Sequence, residues 1–115
     1  MKINNEVENN LSIEDQIVDW KKEYKKIFLS TIDNEDYIWR RIKRKEYSEI
    51  MAIKDIEDIE ERIYQRQVAI AKLVVLNFTA EELDERIEEL AGLASTIADE
   101  VLNKSGFNLI STTEL

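Results

Sequence analysis

The 115-residue chain contains no cysteine, no histidine and no proline, and its two glycines are Gly92 and Gly106. Without cysteine there is no disulfide framework and no thiolate chemistry. Without histidine as well, the usual zinc sites lack their ligands, and Ser-His-Asp and Cys-His catalysis lack their base. Two isolated glycines cannot build a phosphate-binding loop. We therefore expect a protein that is not an enzyme and that uses no metal ion and no other cofactor.

Long hydrophobic runs are also missing. No apolar stretch approaches the roughly 18 residues that suggest a transmembrane helix, and the first ten residues lack the apolar core of a signal peptide. We therefore expect no membrane contact and a protein that stays in the compartment where it is made. A hydrophobic content of 43% and a charged content of 36% suit one helix-rich soluble domain, predicted over 12–107 between flexible segments at 1–11 and 108–115.

Charge is abundant but unevenly distributed. The formal net charge is −9, with −4 over residues 1–20, +5 over residues 21–45 and −10 over residues 46–115. Five of the six positions from Arg40 to Lys45 are basic. Such segregation can steer association with an oppositely charged partner or favour contact between two copies of the chain.

Helical periodicity and capping residues predict four or five helices. Ser12, with Asp15 three residues later, predicts the start of a helix over about 13–25, whose apolar positions recur every three or four residues. A second helical pattern begins at Lys43 and runs to about Asn77, with a local break near Ile53. The apolar second half of this long pattern predicts a central position in a bundle or an oligomer interface.

The last third of the chain has its own start and stop signals. Thr79 and Glu82 form a second capping-box pattern, and Gly92 interrupts the helix that follows. A final helix has Gly106 at the position of a left-handed C-terminal cap, and Phe107 follows where a hydrophobic contact often closes such a cap.

A β-hairpin is predicted between the first and second helices. Two β-prone runs flank the polar cluster from Asp33 to Asp36, which is predicted to be a four-residue turn. Alternation along the second strand predicts Ile38, Arg40 and Ile42 on one face, and Tyr37, Trp39 and Arg41 on the other. The predicted fold class is therefore α+β, mostly helical, with one hairpin near the N-terminal third.

The basic run at the end of this hairpin has three interpretations. Arginines beside aromatic side chains suit nucleic acid, but the acidic chain and the opposed faces of Arg40 and Arg41 make that interpretation weak. The run could also be an edge strand that resists unwanted pairing. The favoured interpretation is contact with an acidic protein surface, either a different protein or a second copy, and the candidate partner-binding residues are Trp39, Arg40, Arg41, Arg44, Lys45 and Tyr47.

An acidic run raises the question of a metal site. Asp55, Asp58 and Glu61 recur every third residue, and carboxylate oxygens are the ligands that Mg²⁺ and Ca²⁺ prefer. Di-metal helical bundles pair glutamate with histidine, however, and histidine is absent. We expect a solvated helix face instead, with ion pairs such as Asp58 with Arg62.

Three segments in order resemble a known family. These are "DYIWRRIKRKEYSEIM", "ERIYQRQVAIAKLVVL" and "AGLASTIADEVLNKSGF". Together they look like the small tail-assembly chaperones and baseplate-hub assembly proteins of large contractile-tailed bacteriophages. The resemblance covers about residues 13–107. It departs from the family pattern at Arg41, where the family has proline, and at Asn77-Phe78, where the family has Tyr-Pro.

The resemblance implies a non-enzymatic role in building a phage tail. Such proteins act as chaperones or adaptors for other tail components in the host cytoplasm during assembly, and some are absent from the finished virion. Within the matching motifs, Trp39 and Arg40 would be the strongest partner-contact residues if they are exposed. Two alternatives stay open, namely a permanent structural subunit of the tail or baseplate and a small nucleic-acid-binding regulator.

Overall fold

The computed structural model describes residues 12–107 and 112–115. These residues form five helices and one antiparallel hairpin, in the order α1 Ile13–Tyr24, β1 Ile27–Ile32, β2 Glu35–Arg40, α2 Arg44–Met51, α3 Ile59–Val74, α4 Ala80–Glu89 and α5 Leu93–Lys104. The predicted α+β, mostly helical fold with one hairpin is confirmed. The predicted flexible segment 1–11 and residues 108–111 of the predicted tail lie outside the described residues.

The local signals for helix ends act as predicted. The Ser12 hydroxyl accepts a hydrogen bond from the Asp15 backbone N–H at 3.2 Å, which caps α1. Thr79 and Glu82 exchange both capping-box bonds, at 3.2 and 2.8 Å. Gly106 has a φ of +111°, a conformation that favours glycine at a helix end.

The predicted long helix is two helices, α2 and α3, joined by a non-helical segment. The break falls near Ile53 as predicted. Arg66 stabilises the non-helical segment, because its Nη2 donates to the carbonyls of Met51 and Ile53 at 2.9 Å each. Asp58 caps α3 by accepting from the Glu61 N–H at 3.0 Å. The predicted ion pair between Asp58 and Arg62 is not among the salt bridges of the described residues.

Arg62 instead donates to two carbonyls of the connecting segment, those of Ile56 at 3.0 Å and Glu57 at 3.4 Å. The other end of α3 also differs from the prediction, because the helix ends at Val74 and not near Asn77. Val75 is already extended, with ψ at 127°.

The hairpin turn is shorter than predicted. Asp33 and Asn34 alone form the loop, with φ values of 52° and 63°, as a tight two-residue turn with two left-handed residues requires. Glu35 and Asp36 belong to β2 and not to the turn. Their carboxylates have partners there: Thr31 Oγ1 donates to Asp36 at 2.6 Å, and Arg86 binds Glu35.

The far edge of β2 is covered by the chain that follows α3. The Leu76 N–H donates to the Ile38 carbonyl at 2.7 Å. The Asn77 side chain accepts from the Ile38 N–H at 2.9 Å and donates to the Asp36 carbonyl at 3.0 Å. β2 is therefore the central strand, with β1 on one side and residues 75–77 on the other.

The core lies between the aromatic residues of β2 and the helices α3, α4 and α5. Its fully buried side chains include aliphatic residues from all three helices and aromatic residues from the strand, namely Tyr37, Trp39, Ile70, Val74, Leu83, Leu93, Ile97 and Val101. Burying this apolar surface is the main favourable term that holds the hairpin onto the helices. An isolated hairpin would be marginal in water.

Candidate protein-docking site at the hairpin exit

The six predicted partner-binding residues fall into two groups. Arg41, Arg44 and Lys45 are exposed and Tyr47 is half-buried. Trp39 and Arg40 are buried, with 1% and 8% of their surface exposed. These two residues were expected to be the strongest partner contacts only if they were exposed. Because they are buried, that condition is not met.

Trp39 has a structural role. Its ring stacks on Phe28, the residue opposite it in β1, with 4.6 Å between centroids and 23° between planes. Its indole N–H donates to the Ser30 hydroxyl at 2.9 Å. The ring face and the polar atom are both used within the hairpin, so Trp39 holds β1 onto β2.

Arg40 is also held within the protein. Its guanidinium makes two parallel hydrogen bonds to Glu46, each 2.9 Å long, and lies over the Tyr24 ring at 5.3 Å. The hydrogen bonds from Arg40 hold the pKa of Glu46 below its ordinary value, and the same bonds raise the pKa of Arg40. Both groups therefore stay charged at neutral pH.

Glu46 also sets the start of α2. Its Oε1 accepts from the Lys43 backbone N–H at 2.9 Å, in the first turn of the helix. Arg40 reaches further, donating to the carbonyls of Arg41 at 3.0 Å and Leu73 at 3.4 Å. Hydrogen bonds from Arg40 and Glu46 thus fix the chain between the end of β2 and the start of α2. The basic residues from Arg41 to Lys45 therefore occupy defined positions.

These fixed positions present a cluster of free positive charge. Arg41, Lys43, Arg44 and Lys45 are all exposed, and none of them forms a salt bridge among residues 12–107 and 112–115. The Arg41 guanidinium lies 5.7 Å from the centre of the Phe28 ring, which holds it over the end of the hairpin. Because none of these four cations pairs with a carboxylate among the described residues, their charge is available to a ligand.

Two adjacent cavities flank this cluster, and together with it they make up what we call the junction site. One cavity of about 270 Å³ is lined mainly by apolar and aromatic groups from α2 and the end of α5, namely Ile42, Lys43, Arg44, Tyr47, Ser105, Gly106 and Phe107. The other, of about 480 Å³, lies towards α1 and is lined by Glu23, Tyr24, Lys25, Arg40, Arg41, Ile42 and Lys43. Ile42 and Lys43 separate the two.

Residues far apart in sequence build the apolar cavity. Tyr47 and Phe107 pack at 4.8 Å between ring centroids, and the Ile42 N–H donates to the Ser105 hydroxyl at 3.0 Å. The sequence prediction missed Ser105, which lines this cavity, and Lys25, which lines the other cavity and bends the chain after α1 with a φ of 65°. Phe107 was predicted as a cap contact, a local signal for the end of α5 that does not indicate its place beside α2.

The acidic run does not gather into a metal site. Within the described part of the chain no three acidic side chains lie close enough to hold a metal ion. Asp58 is a helix cap, and Asp55 and Glu61 are exposed.

No helix of the described residues is long and apolar enough to cross a bilayer.

The arrangement combines exposed positive charge with an apolar recess. Exposed lysines and arginines attract carboxylates, and an adjoining cavity walled by aromatic rings can take an apolar side chain.

Compared with protein-family models, with curated proteins and with solved structures, the chain shows no match.

Proposed function

We propose that the protein is a non-enzymatic assembly factor, a chaperone or adaptor that binds another protein through the junction site, and that its partner is a component of a bacteriophage tail or baseplate. The observation that carries the binding proposal is the position of four free cations beside an aromatic-walled cavity. The phage role rests on the sequence resemblance over residues 13–107.

The electrostatics favour a short acidic ligand over a nucleic acid. The turn end of the hairpin has the opposite charge, with Asp33, Glu35 and Glu89 lining a separate pocket around Arg86. A six-residue strand spans about 20 Å, so positive and negative surfaces lie about that far apart. A long polyanion that follows the surface would meet repulsion, whereas a short acidic protein segment fits within the positive region.

The chemistry of the junction site suggests what this segment looks like. Carboxylates would pair with Arg41 and Arg44, and one aromatic or aliphatic side chain would enter the cavity that Tyr47 and Phe107 line. Buried aromatic anchors supply most of the affinity in protein interfaces, and charges at the rim mainly set specificity and the rate of association.

Photo-crosslinking in cells that produce the phage would test this proposal. A photoreactive amino acid at Arg44 should crosslink to one tail or baseplate protein, and the same amino acid at Lys54, an exposed cation between α2 and α3, should not. Crosslinks to nucleic acid, or equal crosslinking from both positions, would contradict the proposal.

The crosslinked partner then allows a quantitative test. The double variant Arg41→Glu, Arg44→Glu should weaken the purified complex at least about tenfold at low salt, because two attractions become repulsions. Lys54→Glu is the matched control and should leave the affinity unchanged. Circular dichroism should show the same helical content for all three proteins, because every substituted side chain is exposed.

The proportion of the protein in purified particles separates an assembly factor from a permanent subunit. Quantitative mass spectrometry should find the protein abundant in the lysate and missing from the particles. A fixed copy number in the particles would mean a structural subunit, and the chaperone role would be wrong.

A further inference from the structure

The outer edge of β1 is open. β2 pairs with β1 on one side and with residues 75–77 on the other, but among the described residues no backbone group pairs with the far side of β1. Leu29, in the middle of this strand, has 54% of its surface exposed. An exposed strand edge with an apolar centre is a template for a further strand.

The register shows which groups of β1 point outward. The Ile38 N–H and carbonyl face residues 75–77, away from β1. Leu29 is opposite Ile38, so its own N–H and carbonyl point away from β2. By alternation, Ile27 and Thr31 do the same. The open edge therefore offers three donors and three acceptors, placed symmetrically about Leu29.

We propose that this edge binds the same edge of a second copy of the chain, antiparallel and with Leu29 opposite its counterpart. In that register Ile27 of each copy faces Thr31 of the other. All three outward residues then form hydrogen-bonded pairs, and every outward donor and acceptor finds a partner. The two hairpins become one four-stranded sheet across a twofold axis.

The charges at the two ends of β1 favour this occupant. Lys25 and Lys26, both exposed, precede the strand, and the exposed Asp33 follows it. An antiparallel arrangement brings the basic end of each copy beside the acidic turn of the other. A parallel arrangement would place like charges together. The edge is therefore complementary to itself in one direction only.

The strand edge itself is not part of the junction site, although Lys25 at its basic end also lines the larger of that site's two cavities. The proposal does not depend on the proposed function. Three paired residues on each copy make a small interface, so we expect a reversible dimer that forms with increasing concentration. The apolar contact at its centre is between the two Leu29 side chains.

Sedimentation of the full chain over a range of concentrations tests the dimer. Leu29→Lys should raise the dissociation constant at least about tenfold, because it places two positive charges at the centre. Val18→Lys is the control, since Val18 is a similarly exposed apolar residue on α1, with 50% of its surface exposed. A protein that stays monomeric at millimolar concentration would overturn the proposal. So would equal weakening by the two variants.

The register has a separate test, because the natural chain has no cysteine. Leu29→Cys should form a disulfide-linked dimer under mild oxidation, since directly opposed residues have Cα atoms about 5.5 Å apart, within disulfide range. Thr31→Cys should not, because the two copies of that residue would lie about 14 Å apart along the strands. Faster crosslinking of Thr31→Cys than of Leu29→Cys would overturn the antiparallel register centred on Leu29.

Discussion

The two ends of the hairpin are each held by an arginine and a glutamate, and the two pairs differ in how they are built. At the exit, Arg40 binds Glu46, six residues along the chain, through two bonds of 2.9 Å. At the turn, Arg86 binds Glu35, 51 residues away, through bonds of 2.7 and 3.0 Å. The first pair joins a strand to the next helix, and the second joins the hairpin to α4.

Their surroundings differ as well. Arg40 also donates to two backbone carbonyls, one of them from α3, and its side chain is 10% exposed. The Arg86 guanidinium lies 4.2 Å from the centre of the Phe78 ring. The Tyr37 hydroxyl donates to the same Glu35 carboxylate, with 3.1 Å between the oxygens. Similar bidentate pairs thus serve a local junction in one case and a long-range contact in the other. Loss of either arginine tests whether the other hydrogen bonds around each pair, rather than its sequence separation, set its contribution to stability.

The largest effect is expected for Arg40→Ala. The change leaves Glu46 without its main partner and frees the carbonyls of Arg41 and Leu73, so we expect the free energy of unfolding to fall by about 3 kcal/mol. Urea denaturation measures it. Arg41→Ala, the exposed neighbour, is the control and should cost less than about 1 kcal/mol. Equal losses for the two arginines would show that the internal pair does not hold the junction.

A smaller effect is expected for Arg86→Ala. Glu35 keeps the hydrogen bond from the Tyr37 hydroxyl, so we expect a loss of about 2 kcal/mol. Lys72→Ala breaks a more exposed pair, with Asp84, and should cost less than about 1 kcal/mol. If Arg86→Ala costs more than Arg40→Ala, the long-range pair is the stronger one and the expected order is wrong.

The smallest effect at neutral pH is expected for Tyr37→Phe, which removes one hydrogen bond and should cost about 1 kcal/mol. Burial, and then the charge of Glu35, raise the pKa of Tyr37 from 10.0 to about 12. The folded state therefore keeps the neutral phenol while the unfolded chain ionises, so wild-type stability falls as the pH rises from 10.0 to about 12.

Phenylalanine does not titrate, so the stability difference between wild type and Tyr37→Phe should shrink across this range. Denaturation at neutral and alkaline pH measures that difference directly. A constant gap would mean that the phenol titrates in the folded protein as it does in the unfolded chain.

The features that the sequence predicted correctly depend on neighbouring residues. The caps at Ser12 and Thr79, and the left-handed Gly106, each follow from a few adjacent positions. The four-residue turn was wrong because Glu35 and Asp36 are of residue types depleted in strands, yet both find partners that keep them in β2. One of those partners, Arg86, lies 51 residues away and cannot be seen in the local pattern.

The site shows the same division. The basic run at 40–45 is visible in the sequence, but which of its members are available depends on tertiary contacts. Arg40 and Arg41 are adjacent and chemically identical, and the first is buried while the second is exposed. Both faces of β2 are buried, because all four consecutive residues from Tyr37 to Arg40 are, so strand alternation does not distinguish the two arginines. Arg41 lies just beyond the end of the strand. The apolar cavity needs Phe107 beside Tyr47, a contact over 60 positions that no spacing rule indicates.

The Asn77 side chain has a consequence for how the hairpin avoids misfolding. Its amide binds the backbone of two alternate residues in β2, the Asp36 carbonyl and the Ile38 N–H. If β2 shifted by one residue, Tyr37 would lie opposite Asn77. The backbone groups of Tyr37 point the other way, so both hydrogen bonds of the buried Asn77 amide would be lost. The Asn77 side chain therefore stabilises one register of β2 and disfavours the registers shifted by one residue.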